Sequence, residues 1–295
     1  MAWWLLHPIY RKFFTLLVGH VVKKQPCTER QACRYLKVSR SIAYRSKQAR
    51  EENEENRLIL KISQEKVTWG ILKVTAYIRN KYGKTYNHKR VARIRRKYGL
   101  QAHKRKTRKK RLKATGNPVK TATRIDEIWS YDFKQDRTIE GRIARILVVC
   151  DEYSRECLSL QAGRRFRSSQ VISVLQQTQE WTGRPPKYLR SNNGPEFRSE
   201  EIQTWLKKQH ITPQYIHPGS PWQNGHVESL NASLGRELLD REHFLTLSQL
   251  QERLDEWKEE YNEERPHSAC AGLPPALYAR QTTLKLLTKP QNSLI

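Results

Sequence analysis

Arg190-Ser191-Asn192-Asn193-Gly194-Pro195-Glu196-Phe197 reads as the end of an apolar strand running into a turn. Two other stretches frame it. Trp129-Ser130-Tyr131-Asp132-Phe133 alternates as a strand does, and Pro221-Trp222-Gln223-Asn224-Gly225-His226-Val227-Glu228-Ser229 is a turn that opens a helix. Between Asn192 and Glu228 stand 35 residues (228 − 192 − 1). Working outward, the pattern from Ile125 is α/β. It predicts strands at 128–134, 143–150 and 156–161, a helix at 168–182 and a short strand from Lys187 to Ser191. A helix at 199–209, a strand at 212–216 and a long helix from Gln223 follow. An acidic amphipathic helix at 247–261 leads into Tyr261-Asn262-Glu263-Glu264-Arg265-Pro266-His267.

The charge is divided as sharply as the pattern. The chain has 295 residues and a net charge of +27. Residues 1–125 hold 34 Lys and Arg against 6 acids, while residues 126–295 hold 22 against 23. An excess so confined points to a polyanion partner. A ribosomal or histone-like binder would share the charge but has no need of a neutral, apolar-patterned C-terminal half. The five cysteines, Cys27, Cys33, Cys150, Cys157 and Cys270, form no Cys-x-x-Cys pair, so packed, reduced thiols are expected and a structural zinc cluster is not. Residues 1–22 are apolar, but Pro8, Arg11 and Lys12 interrupt them, which speaks against a membrane span.

The basic part divides further. Residues 23–50 carry a helix-turn-helix pattern: Thr28 and Gln31 make a capping box, Ala32, Cys33, Leu36 and Val38 an apolar face, and Ser39 caps a second helix. That second helix carries Arg40, Arg45, Lys47 and Arg50, suited to phosphates and base edges. Residues 51–100 form a second helical subdomain. In it Ile71, Val74, Ile78 and Tyr82 share a face, Gly83 stops the helix, Asn87 caps the next, and Val91, Ile94 and Tyr98 stripe that one. Its exposed positions are expected to be Lys89, Arg90, Arg93, Arg95, Arg96 and Lys97. Residues 101–124 are a basic linker whose Lys104, Arg105, Lys106, Arg108, Lys109, Lys110 and Arg111 could follow a DNA backbone. The core spans 125–245 and a C-terminal helix and tail 246–295.

The three motifs, with their order and the 35-residue spacing, resemble the integrase-core transposases, whose acids run Asp, Asp, 35 residues, Glu. The nearest likeness is to second-frame (OrfB) transposases of the insertion-sequence-three family, where the middle motif usually begins Ser-Asp-Asn-Gly. Trp69-Gly70, Asn87-His88-Lys89-Arg90-Val91 and Gly99-Leu100 resemble the helix-turn-helix subdomain that precedes the core in that family. The resemblance implies a ribonuclease-H-like catalytic core preceded by all-α DNA-binding modules. It also implies a DNA transposase that binds terminal inverted repeats, cleaves a 3′ end and transfers the strand.

Such chemistry is in-line displacement at phosphorus, assisted by two divalent cations. The resemblance makes Asp132, Asn192 and Glu228 the catalytic and metal positions for two Mg²⁺, with Mn²⁺ able to substitute. Gln223, Asn224 and Arg236 are expected at the DNA; on a regular helix Arg236 stands roughly 80° round from Glu228. His217 and His226 are expected to be structural or DNA-facing. Expected partners are the element ends and target duplex, further copies of the chain on DNA, and an upstream-frame helix-turn-helix protein, in the bacterial cytoplasm at the nucleoid. The departure is Asn192, an amide where an acid is expected. It removes one negative charge from a site that balances two dications, so turnover is expected to fall while fold and DNA binding survive. The rival reading is a non-catalytic DNA-binding relative, decayed or repurposed.

Overall fold

The computed structural model describes residues 8–39, 55–100, 120–192, 194–217 and 220–287. They divide into two compact units: Met1–Val67 with Asn87–Gln101, and Thr68–Tyr86 with Ala102–Ile295.

In the first unit, α1 (Pro8–Lys24) and α2 (Glu29–Tyr35) share a small core of Val18, Ala32 and Cys33, with Val21, Val22 and Leu36 at its edge. The Thr28–Gln31 capping box forms as expected. The second helix of that motif, with Arg40, Arg45, Lys47 and Arg50, lies outside the described residues, as do Lys104 to Arg111 of the linker. Residues 55–65 form α3, which buries Ile59 and Ile62. Asn87 caps α5 (His88–Lys97) through the Lys89 amide, and Val91 and Ile94 are buried. One expectation fails here. Arg95 is 1% exposed, because its Nε donates to Leu100 O at 2.7 Å and its Nη2 to Val67 O at 3.3 Å. Its guanidinium closes the end of the helix instead of facing a duplex. Among the described residues no helix is long and apolar enough to cross a membrane.

The second unit is built on a five-stranded sheet in the order β3-β2-β1-β4-β5. The strands are β1 (Ile128–Arg137), β2 (Ile143–Asp151), β3 (Cys157–Gly163), β4 (Tyr188–Ser191) and β5 (Thr212–Tyr215). β1, β2 and β3 are antiparallel; β4 and β5 run parallel to β1. Both faces are covered, which explains the nearly unbroken apolar run of β2. On one face Trp129, Tyr131, Leu147 and Val149 pack with α6 (Ser168–Thr182) and α8 (Glu200–Lys208). On the other Ile146, Val148 and Cys150 pack with α9 (Gly225–Leu234) and α10 (Leu247–Glu263). A short helix, α7 (Pro195–Arg198), follows the β4 turn, and α11 (Pro275–Leu287) is the last described helix.

α4 (Ile71–Tyr82) belongs to this second unit, which divides the expected 51–100 subdomain. Its apolar stripe of Val74, Tyr77 and Ile78 is buried, and its polar tips reach the C-terminal segment. Tyr77 Oη and Lys81 Nζ donate to Glu264 at 3.1 and 2.6 Å, and Asn80 Nδ2 donates to Gly272 O at 2.8 Å. The outer edge of β3 is closed by two amides from α10. Asn262 donates to and accepts from the Cys157 backbone at 2.9 Å, and Gln251 does the same for Leu160 O and Ala162 N. An exposed strand edge is thereby denied to other chains.

Candidate active site

The parallel register of β1 and β4 pairs Ile128 with Tyr188 and Ser130 with Arg190. Carried one residue past the end of β4, the same offset sets Asn192 beside Asp132. Asp132 shares its sheet face with Val148, the face covered by α9. Its Oδ1 accepts from Asn192 Nδ2 at 3.0 Å and its Oδ2 from Asn231 Nδ2 on α9 at 3.2 Å. The Asn192 amide has one possible orientation, since its Oδ1 accepts from the Gly194 amide at 2.9 Å. Asn231 Oδ1, in contrast, has no hydrogen-bond partner among the described residues.

Burial pushes the Asp132 carboxyl above the usual range, against the Phe133 amide and Asn231, which hydrogen-bond it; the charge of Glu196 adds to the rise. Glu228, exposed in the first turn of α9, is raised by partial burial and then by the charge of Asp132. Asp132, Asn192 and Asn231 are therefore in direct contact, and Glu228 is within electrostatic reach.

Two ion pairs hold these elements. Arg190 reaches both oxygens of Glu152 at 2.8 and 2.7 Å, and its Nη2 donates to Lys120 O and to Gln214 Oε1. Ser130 also donates to Glu152. This pair ties β4, and so residue 192, to the loop after β2. Below α9, Arg265 grips Glu237 through contacts at 2.8 to 3.1 Å and donates to Ser233 Oγ at 3.0 Å. The Tyr261–His267 motif thus buttresses the helix that carries Glu228. No sequence signal marked either partner acid, because each pair joins residues far apart in the chain.

Three expectations change. Gln223 and Asn224 are 6% and 2% exposed, so they are not a contact surface. Gln223 Oε1 accepts from the His217 amide at 2.8 Å, folding the turn back on itself. Trp222 beside them is 53% exposed and is the residue this turn offers to solvent. Arg236 does not continue the regular spiral from Glu228: Gly235–Leu239 is a π-helical turn, closed by Asp240 N on Gly235 O at 2.8 Å. Arg236, the second residue of that turn, stands exposed with its Nη2 3.5 Å from Ser233 Oγ. Lys89 and Arg93 on α5 are exposed, but Arg90 is half-buried against Glu55 and Asn56.

Lys134, unremarked in the sequence, shares Asp132's face of β1 and lies against Gly235. His226 accepts from Arg155, and burial with the charges of Arg155 and Arg190 lowers its pKa to about 4. It is a structural imidazole.

Residues 122–221 and 209–275 match two integrase core domain families, and residues 49–110 match an HTH-like domain. An uncharacterized 31.7 kDa protein of insertion element IS407 from Burkholderia multivorans is 31% identical over 265 residues, covering 87% of this chain and 92% of its own. The chain belongs to the insertion-sequence-three family of integrase-core transposases. Transposase InsF of insertion sequence IS3A, from Escherichia coli, is 26% identical over 264 residues, 82% of this chain and 91% of its own. The catalytic core domain of HTLV-2 integrase, solved in complex with magnesium, is similar over 53% of this chain at 21% identity and a TM-score of 0.43. The mixed five-stranded sheet lies within the residues that match the integrase core domains.

The family resemblance implies a two-metal cage at the three positions. The donors here do not fit one. Mg²⁺ is held by converging oxygen ligands, whereas the side-chain groups that meet Asp132 here are the amide nitrogens of Asn192 and Asn231. Asn192 turns its nitrogen, not its oxygen, toward Asp132. Among the described residues no group of three or more His, Cys, Asp or Glu is placed to hold a metal ion.

Proposed function

We propose that this transposase-family chain binds the terminal inverted repeats of its element as a multimer and is impaired in cutting and joining them. The observation that carries the reading is the Asn192–Asp132 hydrogen bond, an amide donor where a third carboxylate would complete a Mg²⁺ site. The basic N-terminal half supports the DNA partner, through a mainly electrostatic and salt-dependent affinity. Lys89 and Arg93 are exposed for phosphate contact. Trp222 offers a face on which an unpaired terminal base can stack. The same Asn192 favours the second reading, a non-catalytic relative that occupies element ends.

One comparison tests both. The chain as it stands and its Asn192→Asp variant are assayed on end-containing duplexes in Mg²⁺ and in Mn²⁺. Both are expected to bind, and the Asp variant to nick and join at least ~100-fold faster, since ~3 kcal/mol of transition-state stabilisation corresponds to about that factor. A fully active Asn192 chain would overturn the impairment. A silent Asn192→Asp variant that still binds ends would favour the non-catalytic reading.

A further inference from the structure

We infer that the Asn192 amide stands in the cation's electrostatic place, so that this chain holds its active-site geometry without metal and Asn192→Asp makes that geometry metal-dependent. The inference rests on reading residue 192 as a family metal position. Its physical ground is the pair of contacts that orients the side chain. Gly194 N–H fixes Oδ1 at 2.9 Å, leaving Nδ2 to meet Asp132 Oδ1 at 3.0 Å. An Asp at 192 is nearly isosteric and would keep the Gly194 bond. Its second oxygen would then face Asp132 at about the same separation. Two carboxylates so close cannot both stay ionised without a cation or a shared proton between them. The amide replaces that repulsion with a charge-assisted hydrogen bond.

Asn231 points the same way. It spends its nitrogen on the second Asp132 oxygen although its own carbonyl oxygen, in a residue 8% exposed, finds no partner among the described residues. Leaving a buried acceptor unmet is costly, so the carboxylate's demand for donors has set the orientation. Asp132 is thus matched on both oxygens by neutral donors from β4's turn and α9, joining the two elements that a metal would otherwise bridge.

The test is thermal unfolding of the full chain, Asn192→Asp and Asn192→Ala, each in EDTA and in excess Mg²⁺, with a Mn²⁺ titration of the unaltered chain followed by electron paramagnetic resonance. The unaltered chain is expected to melt at the same temperature in both buffers and to bind no Mn²⁺ tightly. Asn192→Asp should melt lower in EDTA and recover in Mg²⁺. At a hundred-fold excess over Kd, binding adds ~2.7 kcal/mol, a rise of roughly 5–10 °C at this chain length. Asn192→Ala should melt lower in EDTA and gain nothing from Mg²⁺. Tight Mn²⁺ on the unaltered chain, an equal Mg²⁺ response in any two variants that includes the unaltered one as a gainer, or an Asn192→Asp chain as stable as its parent in EDTA would overturn the inference. No DNA is present, so these outcomes are independent of whether the chain binds element ends.

Discussion

Glu152 and Asp132 are two carboxylates served by the same sheet, and they are answered in different ways. Glu152 lies just past β2, is 1% exposed, and meets a full cation: Arg190 holds both its oxygens. Asp132 lies at mid-β1, half-buried, and meets two neutral amides. A buried charge without a counter-charge is expensive. The difference teaches what each acid is for. Where the chain supplies its own fixed cation, the acid is a brace. Where it supplies only amides, as at Asp132, our proposal makes the acid a site, closed here by Asn192.

The brace should be the costliest thing to break. Arg190→Met leaves Glu152 buried and uncompensated, and the expected loss is about 3–5 kcal/mol, because removing one partner of a buried pair strands the other. Scanning calorimetry should register a fall of roughly 10 °C. The double variant Arg190→Met with Glu152→Leu should lose less than the sum of the two single changes, since neither charge is left alone. Strict additivity would mean that the two side chains do not form one unit, and the contrast with Asp132 would lose its first term.

How much of this was legible follows from which signals are local. The strand positions, the Asn87 cap, the Gly83 stop at φ +64° and the sites of Asp132 and Glu228 are written in short-range pattern and motif. The Arg190–Glu152 and Arg265–Glu237 pairs are not, because nothing near Glu152 or Glu237 in sequence names its partner. The π-helical turn at Gly235–Leu239 is equally silent. Gln223 and Asn224 were expected at the DNA; the tight turn instead folds them inward and leaves Trp222 out. α4 buries Val74 and Ile78 of the expected stripe together with Tyr77, while Ile71 and Tyr82 at its two ends are exposed, and a stripe does not say which core it will join.

Trp222 sharpens the contrast between bracing and contacting residues. Being 53% exposed, it should contribute little to stability. Trp222→Ala is expected to leave the melting temperature within about a degree, yet to weaken binding of ends with an unpaired terminal base by roughly 1–3 kcal/mol, the usual worth of one stacked base. A 2-aminopurine at that base would report the stacking through quenched fluorescence. Equal quenching by Trp222→Ala would remove the residue from the DNA interface.

His267 is the mirror image of Glu152, a base set among cations. Burial and the charges of Arg265, Arg155 and Lys73 hold its pKa down to about 4, and its Nδ1 accepts from the Ala269 amide, which requires that nitrogen unprotonated. An unfolded histidine takes its proton near pH 6.5, so between about 6.5 and 4 the unfolded chain binds more protons than the folded one. Stability should therefore fall as pH falls through that window. His267→Asn keeps a side-chain acceptor for the cap but cannot titrate, and it should flatten the slope in urea titrations run at successive pH values. An unchanged slope would place the acid sensitivity elsewhere.

The smallest effect is the most pointed test of the comparison. Asp132→Asn removes a charge that no cation answers, so the expected change in stability is within about 1 kcal/mol. The new amide can turn its oxygen to Asn192 Nδ2, keeping that bond, while its nitrogen faces Asn231. Asn231 then has a reason to flip: its unpartnered Oδ1 swings in to accept, and an orphaned acceptor is satisfied as a charge-assisted bond is lost. Glu152→Gln has no such escape, because Arg190 keeps its charge and loses its counter-charge. Urea unfolding of the two variants side by side should separate them by at least ~2 kcal/mol, with Asp132→Asn the milder. Equal losses would mean that Asp132 too is a brace, and that the amides around it are ordinary packing.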